Sequence, residues 1–220
     1  MSITFNQVKS DQRIKTYITK ADQMLTWLGF TEHSFAHVTK VATTAKYILQ
    51  TLEYSEKEIE LVQIASYLHD IGNLVNRIGH AQSGALMAFK VLSDIGADAD
   101  DIATIVTAIG HHDEATAEPV NAVAAALILA DKTDVRRSRV RNTDITSFDI
   151  HDRVNYSVKK ATTRINDGKT AMILQLTIDT KHFAAMEYFE IFLGRMLLCR
   201  KAAARLGLVF HVSINDQQLL

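Results

Sequence analysis

Residues 65–73 read Ala-Ser-Tyr-Leu-His-Asp-Ile-Gly-Asn, and they end an apolar helical stretch with an adjacent imidazole and carboxylate, His69 and Asp70. The helix is predicted to begin after Ser55, which has a glutamate three residues later as in a capping box. Polar groups at a buried helix end each need a partner, and a divalent metal ion is an efficient one. This stretch therefore predicts a buried helix whose end carries chemistry.

Apolar residues recur at helical spacing on both sides of this stretch. The last helix of the series has Pro119 in its first turn and is apolar on all sides from Ala122 to Ala130, so we expect it in the middle of a helical bundle. The further helices are predicted over residues 12–28, 32–52, 80–95, 100–112 and 119–131.

The last third of the chain changes to strand-like patterns. Residues 157–165 and 171–179 are rich in β-branched and apolar residues, and Asn166-Asp167-Gly168 between them is a strong hairpin signal. A long helix is predicted over residues 182–205, and another strand over residues 208–214.

The predicted fold class is therefore mainly α, a helical bundle with a small C-terminal ββαβ appendage. We place the division after residue 145, with the helical domain over 1–145 and the appendage over 146–220, packed on it.

The bulk composition excludes several classes of protein. The formal net charge is -1, so nothing in it indicates binding to nucleic acid or to an anionic membrane. The single cysteine, Cys199, excludes an intramolecular disulfide and a cysteine-based zinc cluster. The first residues lack the layout of a signal peptide and no apolar run reaches about 18 residues, so we expect a cytoplasmic protein without a membrane span.

Three further polar features lie in apolar surroundings. Asp131 follows a long apolar run, His111-His112 end an apolar helix, and His37 begins an apolar stripe. Each has an ordinary alternative. Asp131 could form an ion pair with one of the arginines that follow it, His111-His112 could cap the C-terminus of their helix, and His37 could be a core histidine. The joint pattern favours a site, because these residues occur in order on successive elements of one bundle.

The order and setting of these residues resemble the HD superfamily of metal-dependent phosphohydrolases. The core pattern of that superfamily is a histidine, an adjacent His-Asp pair and a distant aspartate, which His37, His69-Asp70 and Asp131 match. The resemblance covers about residues 30–140 and implies an HD-domain helical bundle.

The additional histidines resemble those of the HD branches that hold two metal ions, among them dinucleoside polyphosphate hydrolases and cyclic dinucleotide phosphodiesterases. In those branches the aspartate of the His-Asp pair bridges both ions. The implied ligands here are His37, His69, Asp70 and Asp131 for the first ion, and Asp70, His80 and His111, His112 or both for the second.

The resemblance implies hydrolysis of a phosphate ester or phosphoanhydride of a nucleotide or related small molecule by a metal-activated hydroxide, with His69 and Asp70 at the catalytic centre. Two divalent ions are expected, iron or manganese first, with zinc, cobalt, nickel and magnesium as alternatives. The Gly-Tyr-Pro signature expected after the double histidine is absent, and Asn73 stands where a lysine is often found. Both departures argue against cleavage of a cyclic dinucleotide.

Arginines close to these ligands are the candidates for holding phosphate oxygens. Arg136, Arg137 and Arg139 follow the distant aspartate, and Arg77 lies shortly after the His-Asp pair. The alternative for each arginine is a solvated surface. The candidates for supporting the ligands from behind are His33, Asn73 and Asp134.

Two other functions fit the same residues. One is a di-iron oxygenase on the HD scaffold, which iron content together with oxygen consumption would distinguish. The other is a metal-dependent ligand sensor or interaction module that uses the ββαβ appendage. The expected partner is a small phosphorylated substrate, a nucleotide first, and the apolar helix over residues 182–205 leaves a homodimer open.

Overall fold

The computed structural model describes residues 3–148, 150–179 and 185–218, in which a helical bundle is followed by a small sheet. The helices are α1 (Phe5–Ser10), α2 (Gln12–Trp27), α3 (Phe35–Thr51), α4 (Glu56–Leu68), α5 (His80–Ile95), α6 (Ala99–Gly110), α7 (Ala122–Lys132), α8 (Ile150–Ser157) and α9 (Ala185–Arg205). Short 3-10 segments are Ile71–Leu74, Arg137–Arg139 and Ile145–Ser147. Over the described ranges, no helix combines the length and the apolar character needed to cross a membrane.

The helix starts follow signals in the sequence. Ser55 and Glu58 form the predicted capping box at the start of α4, and the Asp98 side chain caps α6. Helix α5 starts differently, because Gly79 at φ +71 precedes it without a side-chain cap. Glycine adopts positive φ without steric cost, so this turn brings His80 in as the first residue of α5.

Helix α7 lies at the centre of the bundle, as its all-round apolar sequence predicted. Its side chains from Val123 to Ala130 are all buried, and α3, α4, α6 and α9 contact it. Because α7 ends at Lys132, Asp131 lies in its last turn, directly after the buried apolar run.

The sheet is built from β1 (Val158–Ile165), β2 (Ala171–Ile178), β3 (Val209–Ile214) and β4 (Gln217–Gln218), in that spatial order. Strands β1 and β2 form an antiparallel hairpin, in which Asn166 Oδ1 accepts hydrogen bonds from the backbone N–H groups of Thr170 and Ala171. Strands β2 and β3 are parallel, and α9 connects them. The predicted ββαβ order is confirmed, with β4 as a short addition.

Two details differ from the sequence prediction. Pro119 does not lie in the first turn of α7, because the helix begins at Ala122 and the Asn121 side chain caps it by accepting from the Ala124 N–H at 2.8 Å. Helices α1 and α8 carried no prediction. Of the helix predicted over 182–205, residues 182–184 lie outside the described residues. The division of the chain after residue 145 stays a prediction.

Candidate metal centre

Six imidazole and carboxylate side chains from the bundle helices meet in one cluster. Five of them are fully or almost fully buried, and Asp131 is partly exposed. Three overlapping triads have their ligand atoms within 4.8 Å of one another: His37, His69 and Asp70; His69, His112 and Asp131; and Asp70, His80 and His112.

The backbone brings the His-Asp pair against the start of α5. Helix α4 ends at Leu68, and the 3-10 segment after Asp70 runs directly under α5. Gly72 makes this approach possible, because a Cβ atom on it would lie 2.0 Å from the His80 carbonyl oxygen and 2.4 Å from the Gly84 nitrogen. The close contact holds His80 beside the carboxylate of Asp70.

The two oxygens of Asp70 face two different groups of ring nitrogens. Its Oδ2 lies 3.1 Å from His69 Nε2 and 3.6 Å from His37 Nε2. Its Oδ1 lies 3.6 Å from His80 Nε2 and 3.9 Å from His112 Nε2. The Asp70 carboxylate thus lies between two half-sites, the first formed with His37 and His69 and the second with His80 and His112.

Asp131 completes the first half-site. Its Oδ1 lies 3.3 Å from His37 Nε2 and 3.7 Å from His69 Nε2. Its Oδ2 accepts a hydrogen bond of 2.6 Å from Lys132 Nζ. Asp131 therefore presents one oxygen to the cluster while the lysine holds the other.

The hydrogen bonds behind the rings fix which nitrogen faces the cluster. Each Nδ1 contacts a carbonyl or carboxylate oxygen, which can only accept, so Nδ1 carries the proton and Nε2 presents its lone pair inward. The distances are 2.8 Å from His37 to Asp134 Oδ2, 2.7 Å from His69 to Ser66 O, 3.0 Å from His80 to Arg77 O, and 2.6 Å from His112 to Ile109 O.

This arrangement leaves buried lone pairs opposed to one another. Among the described residues, His37 Nε2 and His69 Nε2 have no hydrogen-bond partner, although both lie close to the Asp70 and Asp131 oxygens. Nitrogen and oxygen lone pairs that converge without protons between them are stabilised by a cation. The donor set therefore fits divalent metal ions.

Burial and neighbouring charged groups together set the protonation of the cluster. It lowers the pKa of His112 well below the usual range of histidine, and it also lowers the pKa of His80. Burial acts in the same direction on His69, but the negative charge of Asp70 outweighs it and raises the pKa of that ring. For Asp70 and Asp131, burial would raise the pKa, yet His69 beside Asp70 and Lys132 beside Asp131 outweigh it and hold both pKa values well below the usual range.

Asp134 supports the first half-site from behind. It is buried, it accepts from His37 Nδ1, and its other oxygen accepts from Arg136 Nε at 2.7 Å. Burial would raise its pKa, but these hydrogen bonds and the charge of Arg139 hold the pKa far below the usual range. Asp134 is thus an ionised acceptor that fixes the orientation of the His37 ring.

The other two residues predicted to lie behind the ligands also contact the cluster. Asn73 Nδ2 donates to Asp70 Oδ1 at 3.0 Å. His33 Nε2 lies 4.0 Å from Asp70 Oδ2, and its ring packs against the ring of His37 at 5.4 Å between centroids. Both therefore touch the residues they were predicted to support.

The two members of the double histidine are placed differently. His112 lies in the cluster, whereas His111 belongs to none of the triads found among the described residues. His111 Nδ1 is buried without a hydrogen-bond partner in that part of the chain. The sequence left open which of the two is the ligand, and the structure brings His112 to the other candidates.

A cavity of about 130 Å³ opens beside the cluster, and Asp70, His80 and His112 lie in its wall. Of the arginines predicted to hold phosphate, Arg77 and Arg139 line this cavity.

Arg136 and Arg137 are not brought to the cavity. Arg136 pairs with Asp134 and with Glu32 on another surface. Arg137 donates to the backbone carbonyl of Tyr156 and lies over its ring at 4.4 Å.

Two cations in the cavity wall were missing from the sequence prediction, Lys132 and Arg195. The sequence could have indicated Lys132, because it directly follows Asp131 and a cation next to a buried carboxylate is its expected partner. Nothing in the sequence indicated Arg195, because it lies far along the chain on α9 and reaches the cavity through the packing of α9 on α7.

Part of this chain is similar to a known domain family. The family model of the HD domain matches residues 34–136, a range that contains all six clustered side chains and excludes the appendage. A crystal structure of a predicted HD superfamily hydrolase from an uncultured Thermotogales bacterium is similar over 57% of this chain and 68% of that chain, with 23% sequence identity and a TM-score of 0.45. No curated protein matches the sequence.

Proposed function

We propose that this protein, in which the HD-domain family model matches residues 34–136, is a metal-dependent hydrolase that cleaves a phosphate ester or phosphoanhydride of a nucleotide or a related small molecule. The observation that carries the proposal is the position of Asp70. Its two oxygens face separate sets of ring nitrogens, His37 and His69 on one side and His80 and His112 on the other. A buried carboxylate in that position suits a pair of metal ions that share it.

The first ion would be held by His37, His69, Asp70 and Asp131, and the second by Asp70, His80 and His112. Iron or manganese fits this mixed set best, and zinc, cobalt, nickel and magnesium are alternatives. Bound there, the ions would lower the pKa of a water molecule and stabilise negative charge on the phosphate oxygens.

The side chains of the protein position and hold the reactants. Asp134 keeps the His37 ring in the tautomer that presents Nε2, since its carboxylate accepts the Nδ1 proton. Arg77 and Arg139 line the cavity and would hold phosphate oxygens that the cluster does not reach. Burial of the cluster excludes bulk water and so strengthens each of these electrostatic contacts.

A phosphate-release assay tests the proposal. Wild-type protein, loaded with iron or manganese, is incubated with a panel of nucleotides and phosphate esters beside Asp70→Asn. The matched control is Asp167→Asn, the same chemical change at an exposed position of the β1–β2 hairpin.

We expect Asp70→Asn to lower phosphate release at least about a hundredfold, because losing even a residue behind a metal ligand costs about 10–100-fold. Asp167→Asn should match the wild type. Equal release by both variants, or no release by the loaded wild type from any compound, would refute the proposal. Oxygen consumption by the iron-loaded protein in the absence of phosphate release would support the oxygenase instead.

A further inference from the structure

Arg195 is an appendage residue in the wall of the HD-domain cavity. It lies on α9, outside residues 34–136, yet it shares the cavity with Asp70, His80 and Asp131. Its side chain is only 23% exposed. A guanidinium carries up to five N–H donors and is seldom buried this far without a partner or a ligand.

Two contacts hold Arg195 in place. Its Nε pairs with Glu114 Oε1 at 2.5 Å, and its guanidinium lies 4.7 Å from the centroid of the buried Phe192 ring. One turn further along α9, Cys199 is buried, and α9 packs against α7. The position of the guanidinium is therefore set by Glu114 and by the buried ring of Phe192 on the same helix.

The contacts leave part of the guanidinium available. Within the described ranges, Glu114 is the carboxylate that pairs with Arg195, and neither Nη nitrogen has a hydrogen-bond partner there. Glu114 is shared, because Lys132 Nζ lies 3.9 Å from the same oxygen. Lys132 pairs more closely with Asp131, at 2.6 Å, so Glu114 is mainly the partner of Arg195 Nε, and the Nη groups of Arg195 remain as hydrogen-bond donors.

Other positive charge lies close to Arg195. Burial lowers the pKa of the Arg139 guanidinium, and the charge of Arg195 acts in the same direction, so the two cations are near enough to repel each other. Cations brought together in a cavity that opens to solvent are stabilised when an anion lies between them. The planar, forked donors of arginine match phosphate oxygens in particular.

We propose that Arg195 forms an anion subsite of the cavity, in which its Nη groups bind phosphate oxygens of the substrate, so that the C-terminal appendage completes the substrate site of the HD domain. This inference rests on the proposed function, because it assigns the substrate side of the same cavity. Glu114 holds the arginine from behind, and the appendage contributes to substrate binding rather than to the metal cluster.

Binding of inorganic phosphate to the full chain tests the subsite, by isothermal titration calorimetry before and after removal of metal. The variants are Arg195→Ala, Arg195→Lys, and Arg200→Ala as the matched control, since Arg200 is exposed on the same helix. Arg195→Lys keeps the positive charge that pairs with Glu114 but removes the two Nη donors of the guanidinium. This variant therefore tests the subsite even if the alanine variant does not fold.

We expect Arg195→Ala to weaken phosphate binding about tenfold or more, with or without metal, because a hydrogen bond to a charged group contributes about 1.5–3 kcal/mol. Arg195→Lys should show a smaller loss, and Arg200→Ala none. In turnover, Arg195→Ala should raise KM about tenfold while kcat stays within a few-fold of the wild type.

Equal phosphate binding by Arg195→Ala and Arg200→Ala would overturn the subsite, and so would a wild type that binds no phosphate. A lowered melting temperature with unchanged phosphate affinity would reduce Arg195 to an ion-pair partner of Glu114. The two proposals fail separately. Phosphate binding that depends on Arg195 without any turnover would refute only the hydrolase, and turnover with phosphate binding indifferent to Arg195 would refute only the subsite.

Discussion

Replacing Gly72 with alanine should break both the fold and the metal cluster. The added Cβ would lie 2.0 Å from the His80 carbonyl oxygen, 2.4 Å from the Gly84 nitrogen and 2.7 Å from Ser83 Oγ. Two of these three atoms are backbone, so no side-chain rotation relieves the contact. The start of α5 and the 3-10 segment after Asp70 must move apart.

The size of the effect follows from that separation. Non-bonded heavy atoms rest at about 3.5–4.0 Å, so the two backbones must separate by roughly 1.5 Å. Overpacking that flexible side chains absorb costs about 1–3 kcal/mol, and a shift of two backbones should reach at least the top of that range, about 3 kcal/mol. The same shift would carry His80 Nε2 away from Asp70 Oδ1, from which it now lies 3.6 Å.

Urea denaturation followed by circular dichroism, with metal analysis of the folded fraction, measures both effects. The control is Gly194→Ala in α9, where a Cβ would meet nothing within 4 Å. Alanine replaces glycine in a helix interior with a gain of about 0.5–1 kcal/mol, so this variant should be slightly more stable than the wild type. A Gly72→Ala protein with wild-type stability and full metal content would refute the reasoning.

Three further outcomes are expected. Asp134→Asn keeps the side-chain volume but removes the ionised acceptor behind His37. Competition with a chelator should therefore show metal affinity about 10–100-fold weaker than in the wild type. Unchanged metal affinity would contradict the role of Asp134. Burial raises the pKa of the Cys199 thiol to about 12. At pH 8, below that pKa, the thiol is neutral, so a disulfide reagent should label it only after denaturation. Rapid labelling of the folded protein would be inconsistent with this burial. Metal at a hundred times its Kd should raise the free energy of unfolding by about 2.7 kcal/mol, and a chelator should reverse this gain. A urea midpoint that metal leaves unchanged would argue against a site specific to the folded state.

The local parts of the fold could be predicted from sequence because the signals are local. The predicted helix over residues 80–95 matches α5, and the capping box at Ser55 marks the start of α4. The hairpin at Asn166 is confirmed for the same reason, since its side chain closes the turn with its own neighbours. Pro119 misled the prediction of α7, because a proline at a helix start and an asparagine cap two residues later are both local signals and the cap prevailed.

The site divides in the same way. Histidines and aspartates in apolar helices need partners, and this marked the candidate residues in the sequence. The resemblance to the HD superfamily then implied which of them form the ligand set. The resemblance also implied that Asp70 is shared, but it did not predict which carboxylate oxygen faces which ring nitrogens, because that depends on the approach of α5 at Gly72. Nor did the sequence predict Arg195, because its place in the cavity depends on tertiary packing of α9.

The position of Asp70 between two half-sites is tested most directly by counting metal ions. Wild-type protein, Asp70→Ala and His111→Ala are purified without oxygen, and their bound metal is measured by mass spectrometry. We predict about two ions per chain in the wild type, since paired-metal sites hold that number, the same content in His111→Ala, and almost none in Asp70→Ala. Wild-type metal content in Asp70→Ala, or a loss in His111→Ala as large as in Asp70→Ala, would contradict the shared carboxylate.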